Sequence, residues 1–173
     1  MAFLFNRRRS LVESGLLKGA VDQHSHILYG LDDGVKKRDD SLAILRYLEE
    51  QGVTDVWFTP HVMEDVPNST HLIRTRFEEL GSAYQGSIRF HLAAEYMIDT
   101  LFEERLAARD LLTHGNDTVL METSSVAPPI NLWEVLETMR RRATVPSSPI
   151  RNATATWTRP ITSASMTWAA SCS

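Results

Sequence analysis

The chain has 173 residues, 43% of them apolar, and sets 18 Lys and Arg against 22 Asp and Glu for a formal charge of -4. That length fits one domain with a core of ordinary size, the charge gives no electrostatic case for binding nucleic acid, and no run approaches the roughly 18 apolar residues of a membrane span. The single cysteine, Cys172, excludes an internal disulfide framework and fits a reducing cytoplasm, the expected location.

Residues 1–19 open with "MAFLFNRRRS", in which apolar residues precede the short basic run Arg7 to Arg9. Without an apolar core or a cleavage site this is read as a solvated basic segment rather than a secretory signal. From residue 20 to 142, short β-rich runs alternate with helical patterns, the habit of βαβ units around a parallel sheet. Strands are predicted at "GAVDQHSHI", "VTDVWFT", "SIRFHLAAE" and "DTVLMETS". Helices are predicted at "RDDSLAILRYLEEQG", where Leu42, Leu45 and Leu48 recur at helical spacing, at "NSTHLIRTRFEELGSAYQG" with Asn68 or Ser69 as N-cap, and at "DTLFEERLAARD" and "NLWEVLETMRRR". Residues 143–173 then lose every Asp, Glu, Lys, His, Leu and Gly and become rich in Ser and Thr. Such a tail offers little apolar periodicity and is expected to be irregular.

The polar residues of interest lie at predicted strand ends. His24 and His26 close the first strand, His61 follows the second, Glu95 ends the third and Glu122 the fourth. In an open parallel sheet or a barrel that edge is where ligands bind. His24 and His26 stand two apart, so their side chains share one strand face and can grip one metal ion. Asp22 lies on the same face, where a carboxylate could orient an imidazole. In "LDDG", Asp32 reads as a turn residue and Asp33 as a candidate ligand. A mixed His and carboxylate set suits Mn, Fe or Zn, and several such ions suit metal-assisted hydrolysis. His71 reads as helical, His114 as a loop residue and His91 as interior packing. Motifs for a thiol phosphatase, a serine hydrolase and a P-loop nucleotide site are absent from the sequence.

"VDQHSHILYGLDDGVKKRDDSLAILRYLEEQGVTDVWFTPHV", with "AAEYMID" and "VLMETS" after it, resembles the polymerase and histidinol phosphatase (PHP) superfamily, specifically its bacterial metal-dependent protein-tyrosine phosphatases of capsule and exopolysaccharide loci. The resemblance covers about Val21 to Arg142. It implies an α/β fold, the first four or so βα units of a distorted (β/α)7 TIM-like barrel. It also implies removal of phosphate from tyrosine-phosphorylated proteins, a bacterial tyrosine kinase among them, with up to three ions, Mn2+ first and Fe or Zn as alternatives. Carried over, His24, His26 and Glu95 hold the first ion, Glu95 and Glu122 the second, and Asp33 with His61 the third. Glu95 and Glu122 act through metal-activated water, with no separate general base assigned. Another PHP phosphoesterase, such as a histidinol phosphatase, and a non-catalytic metal-binding or kinase-docking module are the alternatives.

The same family uses a later His-Pro-Glu-Arg motif and a C-terminal Asp-x-His, and neither occurs in this sequence. Reverse-translated with plausible codons and read from the third base, Arg142 to Ala153 gives Gly-His-Arg-Pro-Val-Leu-Ala-His-Pro-Glu-Arg. The expectation is a truncated phosphatase domain over 20–142, followed by an out-of-frame tail over 143–173 and impaired in activity.

Overall fold

A computed structural model describes residues 14–115, 118–124, 127, 129–143, 153–155 and 167–172. The basic run at Arg7 to Arg9 lies outside them. In chain order the elements are β1 (Val21–Ser25), α1 (Arg38–Glu50), β2 (Asp55–Phe58), β3 (His61–Val62), α2 (Thr70–Ala83), β4 (Arg89–Leu92), β5 (Glu95–Met97), α3 (Thr100–Ala108), β6 (Val119–Glu122), α4 (Leu132–Ala143), β7 (Ala153–Ala155) and β8 (Thr167–Cys172). They make a mixed α/β fold with two sheets, ordered β1-β2-β4 and β3-β5-β6-β8-β7. Every pairing among β1 to β6 is parallel.

The strand predicted over 53–59 ends at Phe58 and a separate strand follows it, and the strand predicted over 87–95 is divided in two. Pro60 has no N–H to give to a ladder, so β2 stops at Phe58 and β3 starts at His61. On the neighbouring strand Ala93 and Ala94 separate β4 from β5. Hydrogen bonds cross the break, from Ala93 N–H to Phe58 O (2.9 Å) and from Glu95 N–H to Pro60 O (3.0 Å). Glu95 therefore opens a new strand instead of closing the old one, and His61, expected just after the second strand, opens one as well.

Helix boundaries follow local chemistry. Ser69 caps α2 by accepting the Leu72 N–H at 3.1 Å, and Asp99 caps α3 by accepting the Phe102 N–H at 2.9 Å. The apolar stripe of α1 buries Leu42 and Leu45, while Leu48 packs half-buried against the core. Phe58 is edge-on to Phe77 and Phe90, with ring centroids 5.9 and 5.0 Å away. Leu28, Val56, Ile73, Leu80, Tyr96, Phe102 and Met121 are fully buried with it. Each large apolar side chain so buried contributes about 1.5–3 kcal/mol.

The irregular tail of the sequence reading needs one correction. Its segments Ala153–Ala155 and Thr167–Cys172 are extended, and β8 runs antiparallel to both β6 and β7. The physical reason is the open edge of β6, whose unpaired N–H and C=O groups are a template for an extended segment such as "TWAASC", which holds neither Pro nor Gly.

Candidate metal centre

His24 lies in β1 and His26 just beyond it, and their rings meet edge-on with Nε2 atoms 3.3 Å apart. Glu95 faces both across the sheet break. Its Oε2 lies 3.5 Å from His24 Nε2 and 3.4 Å from His26 Nε2. Residue 95 is only 4% exposed, so its carboxylate is surrounded by protein and needs positive charge beside it.

The Nδ1 atoms of these rings face away from Glu95 toward fixed partners. His26 Nδ1 is 2.9 Å from Asp32 Oδ2, and because a carboxylate only accepts, Nδ1 carries the proton. His24 Nδ1 is 2.9 Å from Thr59 Oγ1. Thr59, fully buried, also accepts the Ser25 N–H at 3.1 Å and reaches Ser25 O at 3.3 Å. With its own proton on Ser25 O, it accepts from His24 Nδ1, which leaves Nε2 of both imidazoles free as a ligand.

Asp32 does more than the turn expected of it. Its buried carboxylate accepts the His61 N–H and the Gly34 N–H, each at 2.9 Å, besides the His26 ring. Burial works against its ionisation, yet these three donors outweigh burial and hold its carboxyl at about 2. In return the Asp32 and Glu95 carboxylates push His26 up to about 10. Asp22, expected to orient an imidazole, instead accepts the His24 backbone N–H at 3.2 Å. It sits too near its own backbone to serve the ring.

His61 is fixed at both ends of its peptide unit: its N–H is taken by Asp32, and its carbonyl oxygen accepts from Asn68 Nδ2 at 3.0 Å. Asn68 also donates to Leu31 O at 3.0 Å, a bridging role rather than an N-cap. The His61 ring brings Nδ1 to 3.3 Å from Glu95 Oε2 and 3.6 Å from Glu122 Oε2, while Nε2 lies 3.8 Å from the exposed Asp33.

The six residues singled out from the sequence thus converge into three overlapping groups: His24, His26 and Glu95; His26, Asp33 and His61; and His61, Glu95 and Glu122. Donor atoms about 2.0–2.1 Å from one ion stand roughly 3.0–3.4 Å apart. The contacts around Glu95 have that spacing. His61 Nδ1 is buried and has no hydrogen-bond partner among the described residues, as expected of a nitrogen whose partner is an ion. The donor set therefore fits a divalent metal. A neutral imidazole has one lone pair, so His26 and His61 each serve one group at a time. The six side chains supply two complete three-ligand sets at once.

Of the other histidines, His71 lies in α2. His91, expected as interior packing, is instead only half-buried, bonding Asp55 at 2.9 Å and stacking on Trp57, and His114 also stacks on that indole at 3.7 Å between ring centroids. Thr59 and Asp32 are the residues that sequence reasoning missed. Their only signal was adjacency to "PH" and to the second Asp of "LDDG".

The model of the capsular polysaccharide synthesis CpsB/CapC family matches residues 20–142. The chain belongs to that family. It is 33% identical over 61 residues to CapC of Staphylococcus aureus, which carries the name of a tyrosine-protein phosphatase; the aligned part is 35% of this chain and 24% of CapC. Its fold is similar to a chain from the crystal structures of YwqE from Bacillus subtilis and CpsB from Streptococcus pneumoniae, described as metal-dependent tyrosine phosphatases. That match has a TM-score of 0.63 at 24% identity, over 71% of this chain and 52% of the other. The chain thus spans about half, or less, of the length of these family members. No helix among the described residues is long and apolar enough to cross a membrane.

Proposed function

We propose that this chain carries the first part of a metal-dependent protein-tyrosine phosphatase linked to capsule or exopolysaccharide synthesis, acting in the cytoplasm on a tyrosine-phosphorylated protein such as a bacterial tyrosine kinase. The two sheets are read as the opening βα units of a distorted barrel, with the site at its mouth. The observation that carries the reading is the meeting of His24 Nε2, His26 Nε2 and Glu95 Oε2 at 3.3–3.5 Å in a chain of this family.

His24, His26 and Glu95 would hold one ion and His61, Glu95 and Glu122 a second, with Asp33 beside His61 at the solvent side. Mn2+ is the proposed metal. Divalent ions there supply Lewis acidity toward water and phosphate oxygens. The protein's share is positioning: Thr59 and Asp32 hold the imidazoles as Nε2 donors, and Glu95 and Glu122 keep negative charge where the cations must sit. No side chain is assigned as a separate general base.

Out-of-frame translation of residues 143–173 belongs to the same proposal. The test is phosphate release from a phosphotyrosine peptide and from histidinol phosphate, by the Mn-loaded 173-residue chain and by a version re-translated in the shifted frame. The shifted-frame version should act on the phosphotyrosine peptide at least about 10² faster, the scale of losing one positioned catalytic donor, and His24→Ala should abolish its activity. Preference for histidinol phosphate, or no release from either substrate, would overturn the substrate class; equal turnover by the two chains would overturn the frame reading.

A further inference from the structure

We propose that Asp32 is a positioning residue that couples two ligand groups of the metal centre, through His26 in one and His61 in the other. The inference rests on the metal reading above and adds a residue outside the ligand set. Its basis is the count of donors at one carboxylate. Oδ2 accepts the His26 Nδ1–H and the His61 backbone N–H, both at 2.9 Å, and Oδ1 accepts the Gly34 N–H at 2.9 Å. The Asp32 carbonyl oxygen accepts from Lys36 Nζ, so the residue is anchored at main chain and side chain together.

Chemistry explains why only Asp serves here. Asn keeps a single acceptor oxygen and presents an NH2 on the other side. Turned one way, its NH2 meets Gly34 N–H; turned the other, it meets His26 Nδ1–H and His61 N–H. Either orientation sets donor against donor in a buried place, which a carboxylate avoids. Glu carries its carboxylate one methylene further from the backbone, away from the place where the His26, His61 and Gly34 N–H groups converge.

Thr59 supplies the internal comparison. Among the described residues it bonds the His24 ring and the main chain of Ser25 and makes no hydrogen bond to His61. Loss of Thr59 should disturb one ligand, whereas loss of Asp32 should disturb two that belong to different groups.

The experiment uses the full chain, with ring- and amide-15N NMR on the metal-free protein followed by titration with Mn2+. In the metal-free wild type the His26 Nδ1 proton and the His61 amide proton should both be protected from solvent exchange. Asp32→Ala, which removes both acceptor oxygens, should bring both into fast exchange and weaken Mn2+ binding by about 10- to 100-fold, the usual cost of losing an outer partner of a metal ligand. Thr59→Val should leave the His61 amide protected. Circular dichroism verifies the fold, and Asp32→Ser is the second variant should the Ala form not fold. If the folded variant leaves both protons protected, or leaves Mn2+ affinity unchanged, the inference is overturned. Failure of the wild type to bind Mn2+ instead overturns the metal reading, and the exchange data tell the two failures apart.

Discussion

His61 and Glu95 are register partners on the parallel strands β3 and β5, and that pairing sets His61 Nδ1 3.3 Å from Glu95 Oε2. Both residues open their strands just after the sheet break, so the site occupies the seam between the two sheets. Glu95 reaches back to the β1 side and His61 forward to Glu122.

Glu95 belongs to two ligand groups and Glu122 to one. Glu95→Gln should therefore abolish tight Mn2+ binding at both sets, a loss larger than the roughly 10- to 100-fold of an outer-shell change. Glu122→Gln should leave one ion bound. Equilibrium dialysis with metal analysis reads the stoichiometry, expected to be two per wild-type chain and one for Glu122→Gln, with Glu95→Gln keeping at most the ion that His26, Asp33 and His61 can still hold.

The Asp32 hydrogen bond, then that of Glu95, raises His26 to about 10 from its ordinary value of about 6.5. A raised histidine stabilises the fold fully below its unfolded pKa and loses that contribution as pH climbs through the folded one. The metal-free chain should lose stability between about pH 6.5 and 10. Across the same window Mn2+ should bind more tightly, because the ion replaces the Nε2 proton. Urea midpoints and Mn2+ titrations at stepped pH check both slopes.

Tyr96 is fully buried, and its hydroxyl accepts the Leu112 N–H at 2.8 Å; burial pushes its own ionisation up to about 12. Tyr96→Phe keeps the ring and orphans that N–H. Urea unfolding should show a loss of about 1–3 kcal/mol with an unchanged slope.

Gly34 lies against the first metal group for a reason of space. A Cβ there would strike the His26 carbonyl oxygen and stand 2.5 Å from the His26 Cβ. Gly34→Ala should cost about 1–3 kcal/mol, as overpacking does, and displace the imidazole. Thermal unfolding measures the first effect, and a fall in Mn2+ affinity at the His24, His26 and Glu95 set measures the second.

Much of this was legible in the sequence because periodicity and strand-end placement are local signals. Three of the four helices fall within the predicted windows and α4 overruns its window by one residue, to Ala143; the five residues chosen for their place at strand ends meet in one place with Asp33 of "LDDG". The sheet break was hidden because nothing in "HLAAE" marks Ala93 and Ala94 as a gap; the break depends on how β4 passes Pro60. Asp32 and Thr59 were missed since their partners come from different segments, Asp32 meeting His61 across 29 positions and Thr59 meeting His24 across 35. Only the folded chain brings those groups together. The two tail strands were unreadable for a related reason: an open edge recruits them, and an edge is a property of the sheet.

Trp57 stacks with two nearly parallel imidazoles, His91 at 4.7 Å and His114 at 3.7 Å between centroids. Burial, against the bond to the Gln23 carbonyl oxygen, holds His114 below the usual imidazole range, so the indole faces an uncharged ring there at neutral pH. A proton gained by His114 on acidification would place a cation against that π-face, an attraction the indole registers. The fold has thereby built an optical gauge into its own interior. Emission from Trp57 should respond to acid without a dye or label.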